Sequence, residues 1–394
     1  MRTLPWLILI VVCLACKKND TERLGLPVIY RFYQDADTIG ATLTILGGNF
    51  SQHPSNNIIG FKGAQTSSYY SKDDTLRVIV PKNATSGPIV LTVYSNTTTS
   101  IDTFFVVTGS FRSMSPIPNG RYTAVAFTIG EKGYIGTGTG NGYLNDFWEY
   151  NPTSNSWNQK SDFIGGQRRE GFSFTINEKG YIGAGFNTTT FSAANDFYEY
   201  NPANDQWTQK VNMPVPAAYT DGGLGLVINN KGYFFCGSWY NEVLEYDPIN
   251  DQWNKKSDFP GLNRYAPSGF VINNKGYVGI GWPGGNSNYL TFLNDFWEYD
   301  PSLDKWTQKA SVPYHLGSNA VSFTINNKGY FANGNENRRI VLEYDPINDT
   351  WTRKSNFPGI SNGYAASFVI NNKAYIIGGT MLNNYSSENW CFTP

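Results

Sequence analysis

Everything after Gly109 in this 394-residue chain is one pattern written six times, and that repeat constrains the fold more than any other feature. One unit reads Phe127-Thr128-Ile129, a turn, then Gly133-Tyr134. It recurs at Phe174 to Tyr181, Leu226 to Tyr233, Phe270 to Tyr277, Phe323 to Tyr330 and Phe368 to Tyr375. The turns are of the Gly-Glu-Lys or Asn-Asn-Lys type, usually closed by Gly, as in Asn229-Asn230-Lys231-Gly232. Such turns need positive φ, which Asn and Gly supply at low cost, so each unit opens with a tight β-hairpin. A second element follows: Asp146-Phe147-Trp148-Glu149-Tyr150-Asn151-Pro152, then Trp157. The Tyr-to-Trp spacing of Tyr150 and Trp157 returns in Tyr200/Trp207, Tyr246/Trp253, Tyr299/Trp306 and Tyr344/Trp351. Two hairpins per repeat of about 45 to 50 residues make a four-stranded blade, and blades stack because none buries its apolar faces alone. The fold class expected is therefore all-β, with a six-bladed β-propeller over residues 109–394. The repeat tryptophans are expected to pack between blades.

A Gly-containing second strand, a Tyr in the third and a Trp in the fourth resemble kelch repeats. The kelch Gly-Gly pair stands intact as Gly378-Gly379; elsewhere only its second Gly remains, at Gly138, Gly185, Gly237, Gly281 and Gly334. The sixth copy ends with Glu388 to Pro394, which aligns with Asp146 to Pro152, so it has no fourth strand of its own. Gly109 to Pro116 resembles the fourth strands, with Phe111 in the Trp position. That segment is expected to complete the last blade and close the ring, removing an open sheet edge.

Composition agrees. Aromatics are 16% and charged residues 15%, with 40 Gly, which suits many short strands joined by tight turns. Net charge is −1, so there is no basic field for nucleic acid.

Between Leu26 and Val107 a different pattern holds. Gly40 to Phe50 reads as a strand running into a Gly turn, followed by Leu76-Arg77-Val78-Ile79-Val80-Pro81, Gly87 to Val93, and Phe104-Phe105-Val106-Val107. In this order these segments resemble an IPT/TIG domain, a small immunoglobulin-like β-sandwich, and the resemblance spans 26–107. It implies a spacer or interaction module.

The N-terminus reads as an address. Met1 and Arg2 precede an apolar run from Leu4 to Ala15, too short to span a bilayer but suited to a signal peptide over 1–15. Leu14-Ala15-Cys16 resembles a bacterial lipobox, with Cys13 where that pattern has Leu. The resemblance implies lipidation at Cys16, a tether over 16–25 and attachment to the cell envelope, the outer membrane in particular. The alternative is an ordinary secretory signal that happens to precede a Cys. Cys236 and Cys391 fall in distant repeats, so no disulfide between them is expected. No metal-ligand spacing occurs, and no cofactor or metal is expected.

Chemistry is sparse. Only His53 and His315 occur, in different domains, which rules out the paired-His copper site of kelch-type oxidases. Glu149, Glu199, Glu245, Glu298 and Glu343 recur once per blade, as do Lys160, Lys210, Lys256, Lys309 and Lys354. A carboxylate repeated in every blade reads as architecture. Arg121, Arg168 and Arg264 share one repeat position, where copies three, five and six have Thr220, Gly317 and Asn362. They read either as structural or as a partial ring of guanidinium groups at the channel mouth, suited to an anionic or hydroxyl-rich ligand. The long connections all fall on one face of the disc and carry Trp239, Tyr240 and Trp282, so a ligand site is expected there. The chain thus reads as a non-catalytic binding protein for glycan or protein ligands. One alternative is a sugar-modifying enzyme similar to N-acetylneuraminate epimerase, also a six-bladed kelch protein, with Arg169 and Glu170 as the catalytic candidates. Another is a purely structural assembly module.

Overall fold

The computed structural model describes residues 25–217, 220–235, 237, 240–283, 292–381 and 384–394. The signal and tether stretch to residue 24, including Cys16, lies outside the described residues, as do Cys236 and Trp239. The chain divides into two compact units, one running to Asp35 and resuming at Ile39–Phe104, the other made of Ala36–Thr38 and Phe105–Pro394.

The first unit is a β-sandwich. One sheet runs Val28–Phe32, Thr42–Gly48, Thr75–Ile79, Tyr70–Lys72; the other contains Asn96–Val106, Thr85–Val93, Asn57–Lys62 and Ala64–Ser67 in that order. Residues alternate as a two-faced strand requires. Leu43 and Ile45 from one sheet and Ile59 and Leu91 from the other are fully buried, while the residues between them are not.

The second unit is the propeller. Blade 1 is built of Val125–Ile129, Lys132–Gly136, Phe147–Asn151 and Ser156–Lys160, paired antiparallel in that order, and blades 2 to 5 repeat it. The sixth contains Ala366–Ile370, Lys373–Ile377 and Asn389–Thr393 and takes its outer strand from Ser110–Ser113. The register is Ser110↔Thr393, Phe111↔Phe392, Arg112↔Cys391 and Ser113↔Trp390. Phe111 therefore faces Phe392 as Trp157 faces Tyr150 in blade 1.

The first hairpin turns differ from expectation in one respect. In blades 2 to 6 their positive φ values fall on both central residues, as at Asn229 and Asn230 or Asn326 and Asn327, in blade 1 on Gly130, and in none on the residue that follows the Lys. That Gly is a packing residue. A Cβ on Gly180 would sit 2.2 Å from the Phe127 ring of the preceding blade, and one on Gly133 would sit 2.2 Å from Phe368. In four blades the Gly of Lys-Gly-Tyr thus records a Phe ring driven against the neighbouring strand, each ring contributing about 1.5–3 kcal/mol by burial, while Gly276 faces Ile228 and Leu226.

Adjacent blades are also tied by polar contacts. Each repeat Trp donates its indole N–H to a carbonyl of the preceding blade: Trp207 to Ser161, Trp253 to Val211, Trp306 to Ser257, Trp351 to Ala310, and Trp157 to Ser115 in the closing segment. Trp207 is fully buried and the other four are partly buried. The recurrent Glu accepts from the second-strand Tyr of its own blade, as Glu149 from Tyr134 at 2.8 Å and Glu298 from Tyr277 at 2.8 Å. Three of the recurrent Lys, at 160, 210 and 309, reach Asp205, Asp251 and Asp349 of the next blade.

Candidate functional site

Each blade's innermost strand is preceded by four residues that cross the channel mouth, and the second residue before each strand behaves alike in all six. Thr123, Glu170, Gly222, Ala266, Asn319 and Tyr364 all have left-handed backbone, with φ between 50° and 67°. This conformation aims the N–H of each at the preceding blade and its carbonyl at the next. A closed circle of six hydrogen bonds results. Glu170 donates to Thr123 (3.1 Å), Gly222 to Glu170 (3.1 Å), Ala266 to Gly222 (3.0 Å), Asn319 to Ala266 (3.4 Å), Tyr364 to Asn319 (3.1 Å) and Thr123 to Tyr364 (2.9 Å). Left-handed backbone costs a non-Gly residue about 1–2 kcal/mol, offset here by a satisfied amide and carbonyl at every step. Because every blade has it, the strained φ of Glu170 is architectural.

The arginine column sits two residues earlier and faces away from the channel. The Arg121, Arg168 and Arg264 side chains are fully buried. Arg121 grips Asp146 with two bonds of 2.8 Å and donates to the Thr137 carbonyl. Arg168 does the same with Asp196 at 2.7 and 2.9 Å and with Ala184. Arg264 holds Asp295 at 2.7 Å and the Ile280 carbonyl, with its guanidinium 4.4 Å from the Phe259 ring centre. Burial would raise Asp146, but the hydrogen bonds and charge of Arg121 hold it below the usual carboxylate range. The expectation that these three arginines contact a ligand is therefore corrected. Their guanidinium groups are bound inside the blade through the terminal nitrogens, fastening the connection between second and third strands. In blade 3 the Thr220 hydroxyl fills the position, bonding Ala194 and Ala217 carbonyls.

Of the aromatic candidates, Tyr240 and Trp282 are exposed, and Trp282 pairs with Tyr265 in a short ladder beside Arg264. Neither lines the cavities described next. Trp239 lies outside the described residues.

The channel throat, of about 140 Å³, is walled by the six residues of the hydrogen-bonded circle and their neighbours. Above blades 6, 1 and 2 it opens into a cavity of about 790 Å³ lined by Tyr122, Thr139, Gly140, Glu170, Asn362, Tyr364, Thr380, Asn384 and Tyr385. The rings of Tyr122 and Tyr364 meet edge to face at 6.3 Å. Short strand pairs raise the wall, Thr139–Gly140 with Gly142–Tyr143 in blade 1 and Thr380–Met381 with Asn384–Tyr385 in blade 6.

Glu170 is common to throat and cavity and is the hub of a polar cluster. Its Oε2 lies 2.8 Å from Nη1 of Arg169, and its side chain is 9% exposed. The Arg169 guanidinium in turn covers the Phe186 ring at 5.0 Å. Asp221 of blade 3 hydrogen-bonds Glu170; burial first, then the Glu170 charge, push its carboxyl up to about 8. Asp221 therefore keeps its proton near neutral pH beside Glu170. Tyr265 of blade 4 is pushed well above the phenol range by burial and by the same two carboxyls, and it too hydrogen-bonds Glu170. Tyr364 is raised by burial and by Glu170.

Arg169 and Glu170, adjacent in the chain, are thus brought together with Tyr385, an aromatic of the long connections, and with residues that the sequence left unremarked: Asp221, Tyr265, Tyr122 and Tyr364. The signal was present in the repeat alignment. The column after the arginines reads Tyr122, Arg169, Asp221, Tyr265, Ser318, Gly363, and a repeat position that varies so widely carries something other than the fold.

Comparison with known proteins agrees with this architecture. The IPT/TIG domain family matches residues 27–107. No curated protein matches the chain. Among solved structures, one titled "Structure of YjhT" superposes with a TM-score of 0.59 at 17% identity, covering 70% of this chain and 95% of that one. At that identity the likeness is one of fold.

Proposed function

We propose that this chain is a cell-envelope binding protein whose propeller mouth takes a glycan. The observation that carries the reading is the composition of the 790 Å³ cavity: three Tyr, two Asn, two Thr and one Glu on its wall. Phenol rings offer flat faces for sugar rings, and amides and hydroxyls both donate and accept, as sugar hydroxyls require. A concave cavity of this size suits a small sugar unit better than a protein surface. Anchoring at Cys16 belongs to the same proposal and rests on Leu14-Ala15-Cys16. Cys16→Ser should release the protein from the membrane fraction. The IPT/TIG unit would then serve as a spacer. A glycan array probed with the soluble chain tests the reading. Binding should appear and should fall with Tyr364→Ala; an array blank at high protein concentration contradicts it.

A sugar-modifying enzyme is the second reading, and the Glu170–Asp221 pair favours it. A protonated carboxyl beside a carboxylate is the acid–base couple that proton transfer on a sugar needs. Following the array hits by NMR for exchange or epimerisation, with Glu170→Gln as control, separates catalysis from binding.

A further inference from the structure

Three features of the mouth bear on the charge of what it takes. First, the arginines that would select an anion are buried inside the blades and committed to Asp146, Asp196 and Asp295. Second, among the described residues the one charged side chain on the cavity wall is Glu170. Third, the cluster behind that wall is short of positive charge. Arg169 is the one cation acting on Asp221 among the described residues, and it faces two carboxyls, Glu170 and Asp221. The other titratable groups around them are phenols: Tyr265 and Tyr364 against the carboxyls, and Tyr143 against Arg169. With one cation for two acids, burial forces one acid to keep its proton, because an uncompensated buried charge is costly.

We propose that the mouth cavity takes a ligand carrying a protonated amine, an amino sugar in particular, whose ammonium group is received by Glu170 among the rings of Tyr122, Tyr364 and Tyr385. This rests on the reading of the mouth as a glycan site and names the class of glycan. The ammonium supplies the missing counter-charge. Asp221 can then ionise, and its proton leaves to solvent as the amine binds. Phenol faces add attraction for a cation near their centres. A carboxylated sugar would meet the Glu170 charge while the guanidinium groups nearest the wall are already engaged, Arg169 by Glu170 and Arg338 by Asn362 and the Ile360 carbonyl, and a neutral sugar would leave Asp221 protonated.

The experiment is titration calorimetry of the full chain at 0.15 M salt, where long-range attraction is screened. The probes are a glucosamine tetrasaccharide with free amines and its fully N-acetylated counterpart. The free-amine probe should bind at least about tenfold tighter, a difference of about 1.4 kcal/mol. Repeating the titration at pH 6, where the amines arrive largely protonated, in buffers of different ionisation enthalpy should show about one proton released per site. Glu170→Gln should abolish the preference, with its melting temperature confirming that it folds. If the acetylated probe binds as tightly or more tightly, the inference fails and the glycan reading stands. If neither probe binds, the inference fails, and the glycan array decides the glycan reading. A preference that survives Glu170→Gln, or binding without proton release, overturns the inference too; the probe comparison on the unaltered chain holds even if that variant does not fold.

Discussion

The backbone N–H of Thr123 in the first blade donates to the carbonyl of Tyr364 in the last across 2.9 Å, and this bond completes the circle at the channel mouth. At the outer edge of the same disc, the seam is made by Phe111 against Phe392, their ring centres 4.8 Å apart. Ring closure is therefore what creates the mouth, since it brings side chains from blades 6, 1 and 2 to a single cavity.

The seam gives the first prediction. A chain beginning at Phe105 should fold with the last blade complete, whereas one beginning at Asn119 loses Ser110–Ser113 and the buried Met114 and Ile117. It also loses the Ser115 carbonyl that accepts from Trp157. Losing a few buried apolar side chains and opening a sheet edge should lower the melting temperature by on the order of 10 °C. Equal melting of the two chains, measured by calorimetry, contradicts the closure.

Arg264→Ala should act on stability and not on binding. The Arg264 side chain is fully buried, and its removal strands Asp295, whose side chain is only 23% exposed. Breaking a buried pair from one side costs about 3–5 kcal/mol, and some solvent access to Asp295 puts this case near the lower end. Denaturant unfolding measures the loss. A folded Arg264→Ala protein that loses ligand while keeping its stability would restore the arginine to the site.

The proton held by Asp221 makes stability depend on pH in a definite direction. Asp221 is raised in the folded state to about 8 from an ordinary value of 3.8. Between those values the folded chain holds a proton that the unfolded chain has released, so stability falls as pH rises through that window and levels off above about 8. Asp221→Asn removes the effect and still offers a donor to Glu170. The melting temperature of Asp221→Asn relative to the unaltered chain should therefore climb from pH 5 to pH 8. A difference that stays constant with pH means that Asp221 holds no such proton.

The architecture was legible because it is written six times. Tyr and Trp at constant spacing fix the second hairpin, and the missing outer strand of the last copy points to Phe111. The arginine column was ambiguous for a physical reason. Its partners Asp146, Asp196 and Asp295 lie on the connection to the third strand, so whether a guanidinium faces ligand or carboxylate depends on how that connection folds back. The Gly of Lys-Gly-Tyr was assigned to the turn because its neighbour across the seam, Phe127 for Gly180, belongs to another blade. Arg169 and Glu170 could be nominated because they are adjacent in the chain. Asp221 and Tyr265 could not, since each comes from a different blade and only the closed circle places them on Glu170.

The mouth as the ligand site is the central claim, and one titration tests it most directly. The strongest glycan from an array is titrated into the unaltered chain, Tyr364→Ala, and Ile249→Ala, which alters an exposed turn at the opposite end of blade 3. The account predicts that Tyr364→Ala weakens binding about tenfold or more, the loss of one stacking face and its contact area, while Ile249→Ala leaves it unchanged. Weaker binding by Ile249→Ala, with Tyr364→Ala indistinguishable from the unaltered chain, would place the ligand elsewhere and contradict the account.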